Sequence, residues 1–227
     1  IPFLASDSAS AEIAHFIFNG LLKYDENLDL AGDLAERWQT SEDGLTILFY
    51  LRKNVRWQDG AAFSAKDVIF TFEKLTDPGV PTPYSGPYEK VETVRALDPY
   101  TVEVRYREPF APGLSSWTMG IVPEHLLAHE NLQSTGFSRA PVGTGPYRLK
   151  KWVRGEKIEL WANDAYFEGR PNLDRVIVRF LPDPATSFLE LQTGNLDTAN
   201  LTPLQFSRQS HTAFFEKNYK HYRFQGM

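Results

Sequence analysis

The stretch from Leu34 to Phe72 reads LAERWQTSEDGLTILFYLRKNVRWQDGAAFSAKDVIFTF. Ala35-Glu36-Arg37-Trp38 suits the end of a short helix, and Ser41-Glu42-Asp43-Gly44 suits a turn. Thr46 to Leu51 is dense in β-branched and aromatic residues and reads as a strand. Asn54-Val55-Arg56-Trp57 reads as its hairpin partner, closed by the turn Gln58-Asp59-Gly60. Ser64-Ala65-Lys66-Asp67 then opens a helix as a capping box, with Asp where Glu or Gln is usual. Val68, Ile69, Phe72 and Leu75 fall on one face of that helix.

Outward from this stretch, strands and helices stay mixed. Asp7-Ser8 precedes a helical pattern over Ala11 to Leu22. Asp77 to Tyr84 holds three prolines and reads as a loop. Val91 to Ala96 and Thr101 to Tyr106 alternate around Leu97-Asp98-Pro99-Tyr100, which makes a hairpin. Gly113 to Met119 opens a helix, and Pro123 to His129 is helical with its proline near the start. A second hairpin is expected from Tyr147 to Trp152 and Lys157 to Ala162. Val176 to Leu181 reads as a strand, and Ala185 to Thr193 as a helix stopped by Gly194. Leu196 to Asn200 and Tyr219 to Phe224 read as strands, and Pro203 to Gln209 as a short helix. Several hairpins among the helices make the expected class mixed α/β, of α+β character.

Composition narrows function. The chain has 227 residues and a formal net charge of -5, with no basic stripe, so no nucleic-acid partner is expected. It has no cysteine, which removes disulfides, thiolate metal sites and cysteine nucleophiles together. No apolar run approaches the ~20 residues that span a bilayer. Both ends are abrupt and read as cut, with a signal peptide expected in the precursor. His125 and His129 stand at helical spacing, but no Glu follows His125 and no third ligand is evident; they read as surface or cap histidines. Gly143-Thr144-Gly145-Pro146 lacks the Lys of a phosphate loop, and no Gly-x-Ser-x-Gly elbow occurs. Neither an enzyme nor a cofactor is expected.

Two blocks carry a resemblance. The first is Leu34-Ala35-Glu36-Arg37-Trp38, Ser41-Glu42-Asp43-Gly44, Leu51 to Trp57, Asp59-Gly60 and Ala65-Lys66-Asp67-Val68. The second is Val142 to Tyr147, Asn163-Asp164-Ala165-Tyr166-Phe167 with Gly169 and Pro171, Pro182-Asp183, and Leu191 to Asp197. In this order they resemble the family 5 extracellular solute-binding proteins, the dipeptide, oligopeptide and nickel binders of ABC importers. The resemblance implies a periplasmic-binding-protein-like fold, of which this chain is the first lobe of a two-lobe clam-shell. Residues 1–20 and 140–227 would form its main subdomain and 21–139 a β-rich insert, its sheet supplied by hairpins at Thr46 to Trp57 and Val91 to Tyr106. The second lobe would lie outside the chain.

The implied job is capture of a peptide, with delivery to the membrane permease of the importer. Nickel chelates, opines, oligosaccharides or a regulatory or chaperone-like role stand as alternatives. The implied location is the periplasm, or the outside of the cell on a lipid anchor. By position, the implied ligand contacts are Ser6, Asp7 and Ser8, then Tyr84, then Trp117, Thr118 and Met119, and Thr144 with Gly145. Each has a plainer reading. Asp7 and Ser8 suit helix caps, Tyr84 and Trp117 suit packing, and Thr144-Gly145 suits a backbone turn. Trp38, Trp57, Trp152 and Trp161 read as core, and Arg52 and Asp59 as structural partners.

Overall fold

The computed structural model describes residues 1–222. Two compact units form, Ile1–Trp152 with Ile158–Ile177, and Val153–Lys157 with the chain from Val178 onward. Within the first unit a set of contacts knits residues 17–33 to 143–168, described below.

The first unit begins with α1 (Ser8–Ile17) and a two-stranded ribbon of β1 (Leu22–Tyr24) and β2 (Leu30–Gly32). Its main sheet has the antiparallel order β3 (Ala35–Thr40), β4 (Thr46–Leu51), β6 (Thr101–Tyr106), β5 (Val91–Asp98). Phe49 pairs with Trp38 on one side and Val102 on the other. That row continues into a core of Phe49, Val102, Val104 and Trp117, all buried. Burying each such side chain contributes about 1.5–3 kcal/mol.

Helix α2 (Ala65–Thr76) packs on β5 and β6. Its start is the expected capping box. The Ser64 N–H donates to Asp67 Oδ2 at 2.9 Å, and Ser64 Oγ accepts from the Lys66 N–H at 3.4 Å. The buried Asp67 also accepts from the Glu124 N–H at 3.0 Å, tying α2 to the one-turn α3 (Glu124–Leu127). A third sheet has the order β7 (Tyr147–Val153), β8 (Lys157–Ala162), β9 (Arg175–Arg179). In the second unit, α4 (Pro184–Gln192) and α5 (Ala213–Asn218) enclose a small core of Phe188, Leu191 and Phe215. The Phe188 and Phe215 rings stack with centroids 5.3 Å apart.

Several expectations are corrected. Ala35 to Trp38 is strand, not helix end, because β4 pairs with it and the Arg37 guanidinium lies 3.4 Å over the Tyr50 ring. Tertiary pairing outweighs a helix propensity worth tenths of a kcal/mol per residue. Asn54 to Trp57 makes only an isolated bridge, Arg56 to Ala62, since β6 already occupies the free edge of β4. In place of a helix from Gly113 to Met119 there are two short 3-10 turns, Ala111–Gly113 and Ser115–Thr118, and Leu196 to Asn200 is irregular. The expected strand Tyr219 to Phe224 lies partly outside the described residues, and Tyr219 to Tyr222 is irregular. Trp152 and Trp161 are 39% and 42% exposed, under the cations of Arg139 and Lys150 at 4.2 and 4.4 Å.

A polar knot closes the first unit. Asn19 Nδ2 donates to both carboxylate oxygens of Asp33 at 3.0 Å and to the Tyr166 hydroxyl at 3.2 Å. Asn19 Oδ1 accepts from Thr144 Oγ1 at 3.0 Å. The Tyr166 hydroxyl donates in turn to Glu168 at 3.1 Å, and Lys23 bridges Glu168 at 2.6 Å and Asp33 at 4.0 Å. Burial pushes the Asp33 carboxyl up to about 6, against the pull of Asn19 and Lys23. Beside the knot the backbone of 143–145 lies flat on the end of α1, with the Gly145 N–H donating to Ile17 O at 2.8 Å. A Cβ on Gly143 would stand 1.8 Å from Ile17 O, and one on Gly145 2.6 Å from it.

Two outcomes follow for stability. Gly143→Ala is expected to cost about 3 kcal/mol or more by overpacking, whereas Gly86→Ala, with no atom within 4 Å of its Cβ, stays within about 0.5 kcal/mol. Urea unfolding of both variants checks this; equal midpoints would refute the close approach. The second outcome concerns pH. The folded state holds the Asp33 proton more tightly than the unfolded chain, so this contribution is full below about pH 4 and lost as pH rises through about 6. It amounts to about 3 kcal/mol. Asp33→Asn should flatten that part of the stability profile, and parallel curves for the two proteins between pH 4 and 7 would contradict it.

Candidate functional site

Asp7 caps α1, its Oδ1 accepting the Ser10 N–H at 2.8 Å. That hydrogen bond holds its carboxyl below the usual range. The plainer reading of Asp7 therefore describes its local role, but only one of its two oxygens is used. Ser6, Asp7 and Ser8 are all exposed. Together they offer two hydroxyls and a carboxylate oxygen to solvent.

Tyr84 comes to the same place. Its hydroxyl donates to Ala5 O at 2.9 Å, next to Ser6, and Thr82 Oγ1 donates to Phe3 O at 2.6 Å. The loop from Asp77 to Tyr84 is thus strapped across the segment that leads into α1. With its proton committed, Tyr84 presents a half-buried ring edge and a hydroxyl that can only accept.

The other expected contacts are placed differently. Trp117 is 2% exposed, with its indole N–H donating to the Tyr106 hydroxyl at 3.0 Å and its ring against Phe49 and Tyr88. Its side chain is core, which corrects the expectation of a contact. Thr118 and Met119 are half-buried, and the Thr118 hydroxyl is spent on Ser115 O at 2.8 Å. Gly20 lets this segment approach, since a Cβ there would sit 2.6 Å from the Thr118 carbonyl.

Thr144 is 1% exposed and bonded to Asn19, and the Gly145 carbonyl accepts from Gln58 Nε2 at 3.2 Å and Asn163 Nδ2 at 3.0 Å. Their polar groups are consumed inside, a second correction. They also abut Ile17, at the far end of α1 from Ser8, a separation of about 15 Å along the helix. Of the nine expected residues, Ser6, Asp7, Ser8 and Tyr84 share one surface.

The knot of Asn19, Asp33 and Tyr166 was not anticipated. A signal existed: Asp33 is a lone acid inside the apolar run Leu30-Ala31-Gly32-Asp33-Leu34-Ala35. His125 bonds Asp59 at 2.8 Å, and His129 is exposed. No group of three or more His, Cys, Asp or Glu able to hold a metal occurs among the described residues. No helix among them is long and apolar enough to cross a membrane. The exposed group of hydroxyls, carboxylate and aromatic ring suits hydrogen bonding to a polar ligand.

Comparison with known proteins bears on what that surface serves. Residues 29–226 match the family model of bacterial extracellular solute-binding proteins, family 5 Middle. The oligopeptide-binding protein AppA of Bacillus subtilis (strain 168) is 31% identical over 203 residues, 87% of this chain and 37% of its own length. The glutathione-binding protein GsiB of Escherichia coli O1:K1 / APEC is 31% identical over 222 residues, 96% of this chain and 42% of its own. The crystal structure of NikZ from Campylobacter jejuni in complex with Ni(L-His) superposes with a TM-score of 0.87 at 32% identity, covering 94% of this chain and 43% of that one. The chain thus spans about two fifths of the length of these relatives. The mixed α/β architecture is that of part of a periplasmic-binding-protein fold. The chain belongs to the bacterial extracellular solute-binding proteins of family 5.

Proposed function

We propose that this chain is the first lobe of the substrate-binding component of an ABC importer, which captures peptides in a cleft and passes them to a membrane permease. The second wall of the cleft lies in the part of the relatives' length that this chain does not span. Capture is binding without chemistry, and closure is driven by tighter binding in the closed state. The protein works in the periplasm, or outside the cell on a lipid anchor. The observation that carries the reading is the exposed Ser6-Asp7-Ser8 turn beside the strapped Tyr84. A peptide's ammonium and backbone amides find there a carboxylate oxygen, two hydroxyls and an aromatic edge.

A second reading is a nickel chelate, favoured by the likeness to NikZ in complex with Ni(L-His).

A thermal-shift panel of di- to pentapeptides, nickel with L-histidine, and oligosaccharides, run on the protein that carries this chain, separates these readings. A ligand of the native state present at 100 times its Kd adds ~2.7 kcal/mol of stability. Asp7→Asn keeps a good helix cap and removes the charge. It is expected to weaken peptides with a free amino terminus on the order of tenfold and to leave the melting point of the ligand-free protein in place. Unchanged peptide affinity in that variant would remove Asp7 from the site. A shift with nickel and histidine alone would replace peptides by chelates.

A further inference from the structure

The strap that carries Tyr84 has a second side. Between it, the end of α2 and the edge strand β5 lies an open groove of about 680 Å³. It includes none of the candidate contacts above. Its bottom is apolar, made by Phe72 and Leu75 of α2 and Val91 of β5. Its rim is charged and exposed, with Asp77, Glu89 and Glu92 against Arg107.

The electrostatics favour a cation. Three carboxylates and the Arg107 guanidinium line the groove. Arg105 takes up Glu92, which leaves Asp77 and Glu89 against Arg107. The groove opens at the C-terminal end of a 12-residue helix, where the dipole is negative. The acids are unequal. Glu92 is held by Arg105 at 3.1 Å, and Asp77 Oδ1 accepts the Gly79 N–H at 2.8 Å. Among the described residues Glu89 makes no ion pair, which leaves it the strongest acceptor for an arriving ammonium.

The wall is built in advance. Thr82 Oγ1 and the Tyr84 hydroxyl fasten the strap to Phe3 O and Ala5 O, and Gln133 Nε2 donates to Gly79 O at 3.1 Å. A groove fixed at three points spends little ordering energy on binding.

We infer that this groove is a second ligand site, taking a compact amphipathic cation whose apolar group rests on Phe72, Leu75 and Val91 and whose ammonium meets Glu89 and Asp77. This inference is independent of the proposed peptide capture, since it rests on a different surface.

The test is a titration of the isotope-labelled chain with phenethylamine, followed by amide NMR, with 2-phenylethanol as the uncharged isostere. The expected result is shifts confined to amides of residues 72–92 and 107, a dissociation constant on the order of a millimolar, and at least roughly tenfold weaker binding of the alcohol. Glu89→Gln, at an exposed position, should weaken phenethylamine to the level of the alcohol and leave the spectrum otherwise native. No groove shifts at millimolar probe would overturn the site. Equal binding of the alcohol, or of phenethylamine to the Glu89→Gln protein, would overturn the role of charge. Tighter binding of phenylalanine than of phenethylamine would assign the groove to a zwitterion through Arg107 and overturn the cation.

Discussion

One buried amide, that of Asn19, holds together parts of the chain that are far apart in sequence. Its partners Asp33, Thr144 and Tyr166 stand 14, 125 and 147 residues away. Without it the buried Thr144 hydroxyl loses its partner and the Asp33 carboxylate keeps only Lys23 at 4.0 Å, and a buried polar group left unsatisfied costs about 1–3 kcal/mol. The end of α1, the link from β2 to β3, the lead-in to β7 and the turn after β8 therefore meet at a single side chain. Everything above that level, from the approach of residues 143–145 on Ile17 to the seat of the strap on Phe3 and Ala5, presupposes that α1 stays where Asn19 leaves it.

What the sequence revealed follows from how local each determinant is. Helix α2 was legible because its cap, its apolar face and its start are all written within a dozen residues. The hairpin of β5 and β6 was legible for the same reason, through alternation and the Asp98-Pro99 turn. Strand β3 was not, because nothing within Ala35 to Thr40 announces that Tyr50 will receive Arg37 or that Phe49 will pair with Trp38. Trp152 and Trp161 misled through hydrophobicity alone; a cation stacked on each lets an indole rest at the surface.

The site divides in the same way. Asp7 as a helix cap and Tyr84 in a proline-rich loop were visible as residues, and the family pattern supplied their positions. Their meeting is a tertiary fact, made by two hydrogen bonds from the strap to backbone carbonyls 79 residues away. Trp117 and Thr144 show the opposite case. Their types suit a binding wall, yet both have spent their polar atoms on internal partners, and no pattern in the chain records that. The polar knot was the least legible part, since it draws one or two residues from each of four segments.

The two exposed tryptophans also bear on how the molecule reports on itself. Of five indoles, Trp57 and Trp117 lie inside, while Trp152 and Trp161 stand on an outer sheet face. Intrinsic emission is thus a composite of dry and wetted chromophores. None of the four is in the Ser6-Asp7-Ser8 segment. Of these four, the indoles that solvent reaches are Trp152 of β7 and Trp161 of β8, so quencher added to this chain acts on that sheet before it reaches Trp57 or Trp117.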